Sequence, residues 1–308
     1  MCRVPIERIT PAVREVAGGL EFPEGPIALA DGSVIVVEMR RRTLSRITPQ
    51  GAVEVIAELG GGPNGAAVGP DGCVYVTNNG GPNWIADGQG NTLPVGSAPD
   101  AVGSIQVVDP RSGKWSTLYD RCDGEPIGAP NDLVFDAVGG FWFTDFGKYG
   151  ADGQTGGVYY ALADGSRIER KIFPLEHPNG IGLSPDGRRL YVAETPTARC
   201  WAFDLSAPGG LAAGADQRAV LATLGDNQLF DSLAVDAEGH VCVGTIVTGA
   251  VSDIWPDGSR IDQYLLPDPV VTNVCFGGPE RRTAFATLSM HGRLVAFDWP
   301  RPGAPLNY

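Results

Sequence analysis

Residues 22–39 of the 308-residue chain read FPEGPIALADGSVIVVEM. Two short apolar runs flank an Asp-Gly turn, and this pattern predicts a β-hairpin. The unusual residue is Glu24, because it places a carboxylate at the start of a strand whose other residues are mostly apolar. A charge at the mouth of a strand that enters a core requires an explanation.

The same hairpin pattern recurs five more times along the chain. The copies begin at residues 62, 129, 177, 229 and 271 and read GPNGAAVGPDGCVYVTNN, APNDLVFDAVGGFWFTDF, HPNGIGLSPDGRRLYVAE, LFDSLAVDAEGHVCVGTI and VTNVCFGGPERRTAFATL. Weaker strands joined by turns rich in Pro, Asp and Gly follow each hairpin. No segment has a 3.6-residue apolar period of helical length. The repeat predicts an all-β fold, a six-bladed β-propeller with four antiparallel strands per blade.

The last repeat runs out of chain before it can form four strands. Only RLVAFDWP, residues 293–300, follows its hairpin as a strand, whereas AVREVAGGL, residues 12–20, is available at the other end of the chain. We expect this N-terminal strand to join the last blade and close the ring, which removes open sheet edges. Residues 1–308 are then expected to form a single domain.

Composition narrows the partners and the compartment. The net charge is −13 and the one basic cluster is residues 40–42, so no nucleic-acid partner is expected. The six cysteines lack C-x-x-C spacing, which predicts free thiols in a cytoplasmic protein. No secretion signal and no run of 18 apolar residues is present, so no membrane contact is expected. A monomer or small homo-oligomer is expected.

Alignment of the six copies on Glu24 gives six side chains that all carry an oxygen atom. They are Glu24, Asn64, Asn131, Asn179, Asp231 and Asn273. The first strand of a propeller blade lines the central channel, so the six are expected to form a ring at one mouth of the axis. Pro-Asn-Gly is also a plain turn signal. The turn interpretation fits Asn64 and Asn273 better, but it does not explain Glu24 and Asp231.

Two carboxylates that converge on an axis repel each other unless a cation neutralises them. No Lys or Arg occupies an equivalent position in the repeats. Oxygen ligands suit a hard divalent cation, and we expect Ca²⁺, or alternatively Mg²⁺ or Mn²⁺. We therefore prefer a metal site to a set of structural turns. Glu24 is then a metal ligand, which explains the charge at the start of the first hairpin.

A second tier of polar residues lies 14 or 15 positions further along each copy. It comprises Glu38, Asn78, Asp145, Glu194, Thr245 and Thr287. An antiparallel hairpin returns its end to the rim where it began, so these residues are expected to orient the ligands by hydrogen bonds. The strand-end interpretation, in which they are merely solvated, is as good for Thr245 and Thr287.

An insertion of residues 79–103 separates the second and third strands of the second blade. A long loop within a compact domain is usually functional or disordered, so this one is a candidate lid or pocket wall, with Trp84 and Ile85 facing a substrate. Other rim segments carry Trp142, Phe146 and Phe230, which predicts an apolar pocket, although blade packing explains Trp142 better. His291, at the end of the sixth hairpin, is a further candidate for substrate contact.

The motifs EGP, PND, PNG, FDSLAVDAEG and CFGGPE resemble those of a family of six-bladed propellers. This family contains gluconolactonase, senescence marker protein (regucalcin) and luciferin-regenerating enzyme, and the resemblance covers essentially the whole chain. It implies one divalent metal ion, Ca²⁺ or alternatively Mg²⁺, Mn²⁺ or Zn²⁺. The implied ligands are Glu24, Asn131, Asn179 and Asp231. Asn131 matches a residue that contacts metal or substrate, and Asn64 and Asn273 are weaker candidates for substrate contact.

The resemblance implies a metal-dependent hydrolase that opens a small-molecule lactone. The cation would polarise the lactone carbonyl, and Asp231 would act as general base or, alternatively, as nucleophile. Ala129 occupies a position where the sugar-lactonase branch often has Arg, which argues against a simple sugar lactone. Two alternatives are a non-catalytic calcium-binding propeller and a metal-free condensing enzyme resembling strictosidine synthase.

Overall fold

The computed structural model describes residues 4–98, 100–147, 156–213, 218–225 and 227–308. Cys2, which is predicted to carry a free thiol, and Pro99, which belongs to the predicted insertion, lie outside the described residues. The other five cysteines are free. Every regular element in the described residues is a β-strand. No helix long and apolar enough to cross a membrane is found among these residues.

The strands are numbered here in chain order. They are β1 (Ile6–Ile9), β2 (Arg14–Ala17), β3 (Pro23–Ala28), β4 (Val34–Glu38), β5 (Thr43–Ile47), β6 (Val53–Glu58), β7 (Pro63–Val68), β8 (Val74–Asn78), β9 (Pro82–Ala86), β10 (Thr92–Ser97), β11 (Ser104–Val108), β12 (Trp115–Tyr119), β13 (Arg121–Cys122), β14 (Glu125–Pro126), β15 (Pro130–Phe135), β16 (Gly140–Asp145), β17 (Gly156–Leu162), β18 (Ile168–Leu175), β19 (Pro178–Leu183), β20 (Arg189–Glu194), β21 (Arg199–Ala207), β22 (Gly210–Leu211), β23 (Arg218–Thr223), β24 (Leu229–Val235), β25 (Val241–Ile246), β26 (Ala250–Ile254), β27 (Ile261–Leu265), β28 (Val271–Gly277), β29 (Thr283–Leu288) and β30 (Arg293–Asp298).

These strands form six antiparallel blades, as the repeat predicts. Blade 1 is β3–β6, blade 2 is β7, β8, β11 and β12, and blade 3 is β15–β18. Blade 4 is β19, β20, β21 and β23, blade 5 is β24–β27, and blade 6 is β28–β30 with β2. The innermost strand of each blade contacts that of the next, and β28 contacts β3. The six-bladed propeller is therefore confirmed.

The N-terminal chain is shared between two blades. Strand β2 pairs antiparallel with β30, with Arg14 opposite Ala296. Strand β1 pairs parallel with β27, with Ile6 opposite Ile261, and adds a fifth strand to blade 5 that the repeat does not predict. The N-terminal segment thus supplies outer strands to blades 5 and 6.

The apolar core lies between neighbouring blades rather than at the axis. Trp142 is fully buried and its ring lies 5.1 Å from that of Tyr160. Phe230 is also fully buried, in the cluster between blades 4 and 5. Burial of such a side chain stabilises the fold by roughly 1.5–3 kcal/mol. Trp142 therefore packs a blade, and the prediction that Phe230 helps to line a rim pocket is wrong because the inter-blade core encloses it.

The rim opposite the predicted ring is held by an ion-pair network. Arg301 donates to the carboxylates of Asp236 and Asp253, whose side chains are both fully buried. His240 Nδ1 lies 2.8 Å from Asp253 Oδ1. This network fixes the segment after β30 to blade 5.

We expect Arg301→Ala to lower the free energy of unfolding by about 3–5 kcal/mol, because it leaves two buried carboxylates without their counter-charge. Urea unfolding measures this loss. Arg189→Ala is the matched control, since Arg189 is exposed and pairs with Asp204 at 3.0 Å, and should change stability by about 1 kcal/mol or less. Equal losses in the two variants would contradict the assignment.

Candidate active site

The six ring residues predicted from the repeat all lie at the starts of innermost strands, and all are buried. None is more than 7% exposed. Each is the second or third residue of its strand, in β3, β7, β15, β19, β24 and β28. Because these strands follow one another around the axis, their starts share one mouth of the central channel.

A break in strand register accompanies the ring residue in every blade. The pairing shifts between Glu24 and Ile27, Pro63 and Ala66, Pro130 and Leu133, Pro178 and Ile181, Phe230 and Leu233, and Val271 and Asn273. A bulge inserts an unpaired residue, bends the strand and re-aims its side chain. The bulge in each blade therefore explains why its polar ring residue does not fit the apolar alternation of the rest of the strand.

The first of these bulges requires a glycine next to Glu24. Gly25 has φ of +49°, and a Cβ there would lie 2.8 Å from the backbone nitrogen of Ala66 in blade 2. A larger residue would be strained in this conformation and would clash with the neighbouring strand. Glycine is thus required directly after Glu24 because β3 and β7 approach each other closely at this point.

Buried threonine hydroxyls link the ring residues of successive blades. Thr77 Oγ1 accepts from the backbone N–H of Gly65 at 2.7 Å and donates to the carbonyl of Asn131 in blade 3. Thr144 Oγ1 repeats the arrangement, accepting from the N–H of Asp132 at 3.1 Å and donating to the carbonyl of Asn179 in blade 4. Neither threonine is predicted by the repeat alignment, although each directly precedes a second-tier residue.

Four second-tier side chains accept hydrogen bonds from backbone N–H groups and do not bond to the predicted ligand side chains. Glu38 accepts from the N–H of Glu21 at 2.8 Å, and Asn78 accepts from the N–H of Gly62 at 2.8 Å. Asp145 likewise accepts from three backbone N–H groups, two of which directly precede β15, and Glu194 accepts from one. These bonds fix the segment that leads into each innermost strand. The predicted orienting role is therefore indirect.

Thr245 and Thr287 differ from the rest of the second tier. Thr287 Oγ1 accepts from the backbone N–H of the ring residue Asn273 at 3.0 Å. Thr245 bonds within blade 5, to Ser252 Oγ at 2.7 Å. Both side chains are fully buried, so they are not solvated strand ends.

The ring carries two buried carboxylates, Glu24 in blade 1 and Asp231 in blade 5, whose charges interact. Burial raises the pKa of Glu24 well above its usual range, and the charge of Asp231 raises it further. Burial also raises the pKa of Asp231 to about 7, although a hydrogen bond from Asn179 opposes the rise. Within the described ranges, neither carboxylate has an ion pair with Lys or Arg.

Asp132 adds a third buried carboxylate next to the ring. The equivalent positions in the other copies hold Gly, Ser or Val, and this difference is the signal in the sequence that marks Asp132. Its Oδ1 accepts from the N–H of Leu133 at 2.9 Å, and its Oδ2 accepts from that of Ile181 at 3.3 Å. Burial raises the pKa of Asp132 to about 7. Its charge also contributes to the raised pKa values of Glu24 and Asp231.

Two ring oxygens are buried and unsatisfied. Glu24 Oε2 and Asn131 Oδ1 lack a hydrogen-bond partner among the described residues. Nearby, Asn179 Nδ2 donates to Thr195 Oγ1 at 3.2 Å, and Ser232 Oγ donates to Asn179 Oδ1 at 3.3 Å. Orphaned oxygens beside uncompensated carboxylates are what a hard cation would satisfy. The donor set fits a divalent metal ion.

A second group of potential ligands, Asp236, Cys242 and Asp253, lies on the opposite rim. It does not fit a metal ion. Arg301 already neutralises both carboxylates. Burial raises the pKa of the Cys242 thiol well above its usual range, so the thiolate that a metal needs is disfavoured. We regard this group as a structural ion-pair network.

A cavity of about 490 Å³ occupies the channel on the side of the ring facing that opposite rim. Its lining includes Asp132 and Asn273 at the ring end and residues 304–308 at the other. The C-terminal residues are tied to the channel wall, since Asn307 Nδ2 donates to the carbonyl of Phe135 at 2.8 Å. The cavity reaches the ring but is distinct from the mouth where the second tier lies.

The insertion in blade 2 is an ordered β9–β10 hairpin, not an unstructured loop. The ring of Trp84 lies 5.3 Å from that of Phe22 in an edge arrangement. Ile85 is about half exposed. His291 lies elsewhere on the rim, with its Nδ1 2.9 Å from Asp268 Oδ2. Neither Trp84 nor His291 is bonded to a ring residue among the described contacts, so both stay predictions.

Ala129 and His177 complete the rim on blades 3 and 4. Ala129 is buried and its N–H donates to Asp145 Oδ1 at 2.6 Å. His177 stacks on Phe146 with centroids 4.6 Å apart, and its Nδ1 lies 3.0 Å from the carbonyl oxygen of Phe146. The position at which the sugar-lactonase branch often has Arg therefore holds a methyl group beside an aromatic stack in this chain.

The family to which this chain belongs follows from a match to a family model. Residues 22–290 match the model of the SMP-30/Gluconolactonase/LRE-like region. The chain belongs to this family. The matched region begins two residues before Glu24 and includes all six ring positions.

Individual relatives are distant. The gluconolactonase of Zymomonas mobilis is 25% identical over 297 residues, which cover 87% of this chain and 77% of that protein. The lactonase drp35 of Staphylococcus haemolyticus is 33% identical over 176 residues, 54% of this chain and half of that protein. The structure of a calcium-binding protein, regucalcin, from Agrobacterium tumefaciens has a TM-score of 0.76 and 20% identity, and 99% of each chain is covered. This last likeness shows the shared fold.

The raised pKa values predict how the ion-free protein responds to pH. Because burial raises the pKa values of Glu24 and Asp231 above those of the unfolded chain, the native state binds more protons at these two groups. Their contribution to stability is therefore greatest at low pH and is lost as pH rises, through about 7 for Asp231. We expect the melting temperature of chelator-treated protein to fall between pH 5 and 8. Asp231→Asn should reduce this fall, and excess Ca²⁺ should remove it in the unaltered protein. The same pH dependence in all three samples would refute the assignment.

Thr144→Val should disturb the ring without touching a ligand side chain. It removes the hydroxyl that serves Asp132 and Asn179, leaving buried backbone groups unsatisfied, so we expect a loss of about 1–3 kcal/mol in stability. We also expect Ca²⁺ affinity to fall by about tenfold or more. Calorimetric titration measures the affinity, with Thr117→Val on the exposed face of β12 as control. Unchanged affinity in Thr144→Val would disprove the positioning role.

Proposed function

We propose that this protein is a divalent-metal-dependent lactonase that opens a small-molecule cyclic ester. The observation that carries the proposal is the ring of buried oxygen ligands in which Glu24 and Asp231 have no counter-charge among the described residues. Family membership supports it, as do the names of two relatives, a gluconolactonase and a lactonase. The proposed metal ligands are Glu24, Asn131, Asn179 and Asp231.

The fit of the site to a metal ion rests on the two orphaned oxygens, Glu24 Oε2 and Asn131 Oδ1. When bound, a divalent cation would supply Lewis acidity toward an ester carbonyl. Ca²⁺ is the first choice because carboxylate and amide oxygens are hard ligands, with Mg²⁺, Mn²⁺ and Zn²⁺ as alternatives.

The chain's own residues have separate proposed roles in hydrolysis. Asp231 accepts the proton of the attacking water, and the hydrogen bond from Asn179 holds its carboxylate in place. Glu24 and Asn131 fix the opposite side of the ring, and Asn64 and Asn273 present amides to the ester. If Asp231 instead attacked the carbonyl directly, it would act as a nucleophile. His291 lies beside Asp268 at the rim, where it would contact only an extended substrate.

Hydrolysis of a lactone panel by chelator-stripped protein tests the proposal. We expect turnover to return when Ca²⁺ or another single divalent ion is added. We expect Asp231→Asn to lower kcat by about 10²–10⁴-fold, because it removes the proton acceptor. Asp257→Asn is the matched control in the same blade, since Asp257 is an exposed turn residue that caps Ser259, and should leave kcat unchanged.

Three results would distinguish the alternatives. Ca²⁺ binding without turnover of any lactone would favour a non-catalytic calcium-binding propeller. Turnover that persists at full rate after metal removal would contradict the metal dependence. Full activity in Asp231→Asn would remove that residue from the chemistry.

A further inference from the structure

An apolar cluster lies on the rim that carries the ring, and the proposed chemistry does not use it. Its buried members are Phe22, Met39 and Val270. Packed against them are half-buried side chains from three further segments, namely Trp84, Leu93, Ile246 and Met290. We call these seven residues the rim cluster. Blades 1, 5 and 6, together with the β9–β10 hairpin of blade 2, contribute to it.

The rim cluster is continuous with the ring along the chain. Phe22 lies two residues before Glu24, and Val270 lies three residues before Asn273. Met39 N–H donates to the carbonyl of Phe22 at 3.0 Å, directly after the second-tier residue Glu38. The cluster therefore lies beside the ring, at the mouth of the channel that carries the second tier.

Two members of this rim hold a strained backbone. Phe22 has φ of +56°, and Val247, which follows Ile246, has φ of +78°. Positive φ is a genuine outlier for a bulky or β-branched residue, and such strain is concentrated at functional sites. Val247 is also 57% exposed, although an exposed position in this conformation would suit glycine better. The rim thus keeps a buried aromatic side chain and an exposed aliphatic one at positions where the backbone conformation favours neither.

The chemistry of the cluster selects one kind of ligand group. Its seven side chains contain no oxygen, and their one nitrogen is the indole of Trp84. A hydroxylated ligand would lose hydrogen bonds to water on this surface without regaining them. An alkyl chain or an aromatic ring would gain free energy there by leaving water. The buried methyl group of Ala129 and the Phe146–His177 stack extend this apolar character to blades 3 and 4.

We infer that the substrate is a lactone with an apolar substituent that lies on the rim cluster, and that Trp84 and Leu93 of the β9–β10 hairpin determine specificity. The inference rests on the proposed lactonase function. The ring engages the ester, and the hairpin sets the length and shape of the group beyond it.

Turnover of γ-lactones with linear alkyl groups from methyl to hexyl tests the inference, with gluconolactone as the hydroxylated comparison. We expect kcat/KM to rise roughly threefold per methylene group, mainly through KM, in the unaltered protein. In Trp84→Ala and Leu93→Ala, the ratio of hexyl to methyl kcat/KM should fall at least tenfold. Trp84→Phe should restore most of that ratio. Trp115→Ala is the matched control, since Trp115 is exposed on outer strand β12, and should keep the full ratio.

A binding arm separates this inference from the proposed function. Asp231→Asn should bind the same lactones intact, with a Kd that tightens with chain length, and adding Trp84→Ala should remove that dependence. Chain-length-dependent binding without turnover would uphold the inference and refute the lactonase. Turnover with no chain-length dependence, or a preference for gluconolactone, would overturn the inference alone. Neither turnover nor binding would overturn both.

Discussion

The site is dominated by two buried carboxylates, Glu24 and Asp231, for which the described part of the chain supplies no Lys or Arg partner. A buried charge is unfavourable unless it is paired, protonated or bound to a metal. The backbone nevertheless holds this arrangement firmly, through a bulge in every innermost strand and through Thr77 and Thr144 between blades. The second tier fixes the segments leading into those strands. Such preorganisation of like charges is best explained by a ligand of opposite charge.

The opposite rim provides an internal comparison. Asp236 and Asp253 are also a pair of buried carboxylates, but Arg301 neutralises both and His240 bonds the second. The same fold thus uses two solutions for the same electrostatic problem. At one end the counter-charge is built into the chain, and the result is structural. At the other end no such charge is supplied by the described residues, and under the proposed function a divalent ion takes its place.

The propeller and the ring could be predicted from the sequence because both arise from local patterns. The Asp-Gly turns and apolar strands are repeated six times, and Glu24 and Asp231 depart from the turn chemistry of the Asn residues they align with. Features that depend on how neighbouring strands and blades pack could not be predicted from the sequence. The bulges, the Thr77 and Thr144 links and the pairing of β1 with β27 are inter-strand properties. Phe230 was misassigned for the same reason, since alternation alone does not say which face meets the next blade.

Titration of Ca²⁺ into chelator-stripped protein at pH 7 tests the central claim most directly, in the unaltered protein and in Glu24→Gln. Calorimetry in buffers of different ionisation enthalpy counts both ions and protons. The account predicts one ion bound per chain with release of protons, because the raised pKa values leave Glu24 and Asp231 partly protonated before binding. It also predicts much weaker binding in Glu24→Gln. The absence of ion binding, or equally tight binding in that variant, would contradict it.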